Sequence, residues 1–366
     1  EASDLLALRA SGVQAVWIDT DKGLDTAIDE PVQSLAQPAS PVADAPPDVL
    51  PQRVSPCSAR DELQRASRTL DRSKQAVALV FNEARLGNAV DMHSCLPVVE
   101  EISESLARNS SALIGLARLK TKDEYSYMHS VSVCALMVAL ARQLGLNETL
   151  TREAGLAGLL HDIGKMAMPL DVLNKPGKLT DLEFEIMRAH PERGHAMLCN
   201  GGAIPEAVLD VCLHHHERVD GSGYPHRLKG DEISLFARMG TVCDVYDAIT
   251  SNRPYKQAWD AAGSLAQMAQ WTGHFDTTIF HAFVKSVGIY PLGTLVKLAS
   301  GRLGVVIDQS PGKLTEPVLR LFFSTRTKMA IPQQVLDLSQ KPGDDRILSR
   351  EDPASWGFPY LDDLWR

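Results

Sequence analysis

Apolar positions along the chain change their period twice, and each change marks a different kind of structure. Residues 1–30 mix polar and apolar positions around one strand-like stretch, AVWID at 15–19. Thirty residues cannot build a core alone, so they read as the truncated remnant of a small N-terminal accessory domain. Pro31 to Pro56 holds seven prolines among Ala, Ser, Val and Asp, the composition of an extended linker over 31–56. From residue 57 the period is helical. Helices are predicted over 60–86 and 97–119, then over 125–144, where Val133, Leu136, Met137, Leu140 and Leu144 form one stripe that His129 extends backwards by a turn. Further helices are predicted over 148–163, 179–199, 205–217, 234–252 and 261–285. After Tyr290 the pattern alternates: LVKLASGRLGVVID (295–308) turns on Ser-Gly, and VLRLFFS (318–324) is β-rich. The expected fold is mainly α, a helical domain over 57–290 followed by a small β-rich extension over 291–366.

Composition narrows the function. A formal net charge of -9 argues against a general nucleic-acid or anionic-membrane surface, though not against a small anionic ligand met by local positive charge. The six cysteines (57, 95, 134, 199, 212 and 243) include no CxxC pair, which favours a reducing, cytoplasmic setting over a disulfide framework. The longest strongly apolar run, Val131–Ala141, is far short of the ~20 residues of a membrane helix. No signal peptide is visible, although the chain begins with Glu rather than Met.

Only eleven histidines occur in the chain, and three of them are consecutive in HHHERVDGSGYP, 214–225. HDIGK (161–165) ends a helix whose apolar side carries Leu156, Leu159 and Leu160, and its imidazole and carboxylate suit Fe, Mn or Zn better than Ca or Mg. Gly164 is expected to end that helix and let Lys165 project past it. His190 lies in RAHPERGH, where His195 does not share its face. Asp244 lies on a stripe of small residues, Ala237, Thr241 and Ala248, which leaves room beside the carboxylate. Asp247, one turn on, reads as a solvated acid. Each site has a bland alternative, a hydrogen-bonded core histidine or a polar helix end, but four separate helices carry His or Asp where a plain core would hold Leu.

Taken together, His129, HDIGK, His190, HHERVDGSGYP and DVYDAITSNRPYK stand in the order and approximate spacing of the HD-GYP family, a bacterial cyclic-di-GMP phosphodiesterase branch of the HD superfamily. The resemblance covers about residues 120–260 by motif. GVQAVWIDTDKG also resembles the tail of a small domain often found ahead of such modules, and YPLGTLVKLASGRLGVVID the β-extension that often follows them. The resemblance implies an HD-superfamily helical bundle with a dinuclear metal site. His129, His161, Asp162 and Asp244 would hold one cation, and Asp162 would bridge to a second held by His190, His215 and His216. His214 is then an extra neighbour at the surface or behind the ligands.

The implied activity is metal-dependent hydrolysis of cyclic-di-GMP to linear pGpG, and on to GMP in some relatives, by a hydroxide bridging the two cations, with Fe or Mn favoured and Zn or Ni also suited. Asp162 and Lys165 would be catalytic, and Lys165, Arg253 and Lys256 would hold phosphate oxygens. Tyr255 could stack on a base. Some relatives bind a third metal through a Glu one turn before the first His. Here that position is Tyr125, and Glu124 is about 140° round the helix from His129, so two metals and pGpG are expected. Val219 replaces a Trp frequent in the motif. The loop after His216 could shape the substrate mouth or dock a signalling partner. Two rivals rank behind: a cyclic-dinucleotide sensor with weak turnover, which loss of a ligand or of Lys165 would favour, and an HD nucleotide phosphohydrolase, which would need neither GYP nor NRPYK.

Overall fold

Helix α3 (Tyr125–Gln143) is apolar on nearly every side, and every residue from Met128 to Ala141 is buried. A helix of that kind can only lie at the centre of a bundle. In the computed structural model, residues 55–119, 125–251, 259–340, 345–358 and 361–365 are described, all within one unit, Arg53–Arg366. The accessory remnant and all but Ser55 and Pro56 of the predicted linker lie outside them, as do Arg253, Tyr255 and Lys256.

Around α3 pack α1 (Ala59–Arg85), α2 (Met92–Ala117), α4 (Glu148–Leu160), α9 (Leu235–Thr250) and α11 (Thr277–Val287). The short α5 (Leu170–Leu173), α6 (Asp181–Arg188), α7 (His190–Cys199) and α8 (Glu206–His214) lie between α4 and α9 in the chain, with α8 packed on both, and α10 (Ala261–Met268) packs on α9. One core joins α1 to α4 and α7 to α11, with Phe81, Ile102, Leu140, Leu160, Tyr246 and Phe283 among its largest members.

Three predicted boundaries move for identifiable reasons. Helix α2 starts at Met92, five residues before the predicted start, because Asp91 caps it by accepting from the His93 N–H at 3.0 Å. It is also kinked at Asn109 (φ -161°, ψ 108°), whose Oδ1 accepts from the Ala112 N–H and restarts the helix. The single helix predicted over 179–199 is two, α6 and α7. Pro191 has no N–H to give the Met187 carbonyl, and the His190 ring Nδ1–H donates to that oxygen instead, at 2.8 Å. The helix predicted over 261–285 divides into α10 and α11, the latter capped by Asp276, which accepts from the Ile279 N–H.

Five antiparallel strands follow: β1 (Leu295–Leu298), β2 (Arg302–Asp308), β3 (Val318–Ser324), β4 (Met329–Asp337) and β5 (Ile347–Arg350), in the order β4-β3-β2-β1-β5. Leu295 pairs with Val305 across the Ser300–Gly301 turn. Leu292, Leu295, Leu303 and Val305 form a second core against Leu63 of α1 and Leu116 of α2. Asp308, at the end of β2, accepts from the Ala59 N–H at 2.8 Å and from Asn109 Nδ2 at 3.2 Å, so sheet, α1 and the α2 kink share one carboxylate. All six cysteines are free thiols. No described helix is long and apolar enough to cross a membrane.

Glu62 is fully buried between α1 and α2, accepting from Arg108 (2.8 Å), Arg65 (2.9 Å) and Ser105 (2.9 Å). Burial pushes its pKa up, but these hydrogen bonds and the arginine charges outweigh that and hold it below the ordinary glutamate value. Its stabilisation is therefore complete above the unfolded-chain pKa and is lost as pH falls through the lower folded value. Glu62→Ala is expected to cost about 3 kcal/mol at neutral pH, a difference that shrinks in acid. Denaturant unfolding at several pH values checks this, and a pH-independent difference would show that packing rather than charge is lost.

Candidate metal centre

Five of the histidines singled out from the sequence meet in one place with Asp162 and Asp244. His129 projects from buried α3, and His161 and Asp162 cap α4 and lead into a 3₁₀ turn, Ile163–Ala167. His190 opens α7, His215 and His216 follow α8, and Asp244 sits on α9. The ring orientations are set by the Nδ1 partners. His161 Nδ1 bonds the Gly158 carbonyl at 2.8 Å, His190 Nδ1 that of Met187 at 2.8 Å, and His215 Nδ1 that of Val211 at 3.0 Å. A ring nitrogen facing a carbonyl must carry the proton, so Nε2 of each of these histidines presents a lone pair to the centre.

Asp162 stands between two sets of nitrogens. Its Oδ2 is 3.4 Å from His129 Nε2 and 3.3 Å from His161 Nε2, while its Oδ1 is 3.3 Å from His190 Nε2 and 3.7 Å from His215 Nε2. Asp244 spans the same gap, with Oδ1 3.0 Å from His129 Nε2 and Oδ2 3.8 Å from His216 Nδ1. Two triads, His129–His161–Asp162 and His190–His215–His216, each bring their ligand atoms within 4.8 Å of one another. Buried His161 Nε2 and Asp162 Oδ1 make no hydrogen bond, a costly state for buried polar atoms unless a cation takes their lone pairs. The donor set, imidazole with carboxylate, fits a divalent transition metal at each triad.

Ionisation agrees with that fit. Burial works against charge on Asp162 and Asp244, but Lys165 and His161 beside the first, and His129 beside the second, hold both carboxyls well below the usual range. Burial drives His215 well below the usual histidine value and His216 down to about 3, leaving both neutral. His129 alone moves the other way. Burial opposes its charge, yet hydrogen bonds with Asp162, Asp244 and Asp247 push it up to about 10. A proton there compensates the same carboxylates that a cation would.

Backbone contact sets the distance between the triads. A Cβ on Gly164 would lie 1.9 Å from the His190 carbonyl oxygen and 2.4 Å from the Gly194 nitrogen, so only glycine lets the 3₁₀ turn touch α7. This corrects the sequence expectation: α4 has already ended at Leu160, and Gly164 serves close approach. Lys165 likewise folds back, its Nζ 2.5 Å from Asp162 Oδ2, with a quarter of its side chain exposed.

An HD domain family model matches residues 100–279, and a model for a domain of unknown function, DUF3391, matches residues 1–95. The solved structure of an HDG"Y"P protein from Bdellovibrio bacteriovorus shares the fold, with a TM-score of 0.52 at 20% identity over 61% of this chain and 72% of that one. A cyclic di-GMP phosphodiesterase response regulator of Xanthomonas campestris is 34% identical over 70% of this chain and 65% of its own length. A cyclic di-GMP phosphodiesterase of Pseudomonas aeruginosa is 53% identical over 99% of this chain and 86% of its own. The chain belongs to the HD-GYP family.

The GYP loop of this HD-GYP protein backs the centre. The Tyr224 ring stacks on His216 (centroids 4.7 Å apart, planes at 28°), and the Arg188 guanidinium carbon lies 4.8 Å from the centroid of the same Tyr224 ring. Buried Glu217 accepts from the backbone N–H groups of His226 (2.6 Å), Arg227 (3.0 Å) and Leu228 (3.1 Å), which clamps the loop. His214 turns away to Asp210 (2.7 Å) and His226 (3.0 Å), and His195 lies half-buried near Cys199.

Asp247 is the HD-GYP residue that the sequence reading placed wrongly. It is buried, and its Oδ2 accepts from His129 Nδ1 at 2.6 Å, so it fixes that ring as the carbonyls fix the others. Its spacing of three from Asp244, one turn along α9, was the available signal. Asp247→Asn is expected to weaken cation binding at the His129–His161–Asp162 triad by about 10- to 100-fold, sparing the His190–His215–His216 triad. Chelator competition with metal analysis checks this, and two equally affected triads would refute it.

Proposed function

We propose that this protein is a metal-dependent phosphodiesterase that hydrolyses cyclic di-GMP to linear pGpG. The observation that carries the reading is Asp162, whose Oδ2 faces the His129 and His161 imidazoles and whose Oδ1 faces those of His190 and His215, so that it would be shared by the cations the two triads would hold. The 53% identical relative named as a cyclic di-GMP phosphodiesterase supports the substrate. The proposed ligands are His129, His161, Asp162 and Asp244 for one cation, and Asp162, His190, His215 and His216 for the other. Fe or Mn is favoured, with Zn and Ni also compatible. When bound, two such cations supply Lewis acidity and lower the pKa of water.

The chain's own residues do the rest. Asp247, Gly158 O, Met187 O and Val211 O hold four imidazoles in fixed tautomers, so the electrostatic field is in place before substrate arrives. Lys165, anchored on Asp162 yet partly exposed, would offset charge that builds on the phosphate and the departing 3′ oxygen. Arg253 and Lys256 are proposed as further phosphate contacts from the sequence motif alone. Free thiols throughout suit a cytoplasmic enzyme.

Anaerobic reconstitution with Fe(II) or Mn(II), followed by chromatography of cyclic di-GMP reactions, tests the reading. Metal-dependent turnover is expected, with Asp162→Ala at least a hundredfold slower because both cations lose a ligand; no metal-dependent product would overturn the assignment. Tyr125 in place of a further carboxylate predicts that pGpG accumulates, and rapid formation of GMP in the same assay would refute the two-metal expectation.

A further inference from the structure

A cleft of about 540 Å³ opens from His216 and Asp244, a volume ordinary for a small-molecule site. Its outer wall carries Arg188, Arg218 and Arg227, and the one carboxylate among its described lining residues is Asp244 at the metal centre. Three guanidiniums gathered round a cleft repel one another unless an anion lies between them. Arg188 is tied to Glu185 at 2.9 Å and held over the Tyr224 ring, but Arg218 and Arg227 have no ion-pair partner among the described residues.

Arg227 is also held in an unusual conformation. Its φ is +57°, the left-handed region that residues with a Cβ rarely adopt. The clamp described above fixes it there, because Glu217 accepts from the Arg227 N–H and from those on either side. Such conformations persist where the surroundings determine them, and they gather at ligand sites. Neither Arg218 nor Arg227 pairs with Asp162 or Asp244, whose partners are His129, His161, Lys165, His190, His215 and His216, so both charges are left to an anion in the cleft.

We propose that Arg188, Arg218 and Arg227 grip the second, uncut phosphate of a substrate with two phosphodiesters, making the outer cleft a selector for dinucleotides. This rests on the phosphodiesterase reading above. A phosphate being cut would lie at Asp162 and Asp244, and because the three arginines line the same cleft as Asp244, a second phosphate of the same substrate would have them as its nearest cations among the described lining residues. Guanidinium groups suit that task because each can meet two phosphate oxygens at once.

The test compares cyclic di-GMP with bis(p-nitrophenyl) phosphate, which has a single phosphodiester, on the Mn(II)-loaded full chain. In the double variant Arg218→Gln, Arg227→Gln, kcat/KM for cyclic di-GMP is expected to fall at least tenfold further than for bis(p-nitrophenyl) phosphate, chiefly through KM. The double lysine variant should recover part of the loss. Calorimetric binding of cyclic di-GMP, which needs no turnover, should weaken by a similar factor. Equal losses on both substrates, or unchanged binding, would overturn the arginine assignment while leaving the phosphodiesterase reading intact. A wild-type protein that binds cyclic di-GMP through these arginines yet cleaves neither substrate would overturn the phosphodiesterase reading and leave the grip standing.

Discussion

Asp162 is the residue on which the arrangement depends. A buried carboxylate beside a second one is expensive to keep ionised, and here Asp162, Asp244 and Asp247 are all buried within reach of His129. The protein balances that charge from several directions. Helix α3 brings an imidazole, the turn after α4 brings another and Lys165, and α7 and the end of α8 bring three more. These groups meet from the ends of α4, α7 and α8 and from within α3 and α9, and the apolar core behind α3 gives them a fixed frame.

Much of this was legible in the sequence, for a reason that can be stated. Helical periodicity exposes a polar residue that occupies an apolar position, and His129 and the His161–Asp162 pair stand out in that way. Asp247 did not, because an acid one turn from another looks like a solvated face until its partner across the bundle is known. The break between α6 and α7 was within reach, since Pro191 is visible in the sequence. Its consequence was not: the carbonyl that proline leaves free is the one that orients His190. Strands β4 and β5 went unpredicted because β4 is largely exposed and lacks a clean alternation.

The GYP loop shows how a motif can be recognised before its parts are understood. Sequence placed Gly221, Gly223, Tyr224 and Pro225 beside the second triad without choosing between shaping a mouth and docking a partner. In the structure Tyr224 supports His216, and Glu217, in the same motif, fastens the segment that follows. The loop is therefore a brace for His216 and a wall for a cleft, built from one short stretch of chain.

The touching backbones at Gly164 and Gly194 have a consequence for how such a site can diversify. With no side chain between them, the spacing of the two triads is a ruler that drifting side chains cannot recalibrate. Arginines on the outer wall are replaceable one at a time without disturbing that ruler. A hydrolytic centre divided in this way can be handed new substrates while its working distance stays fixed.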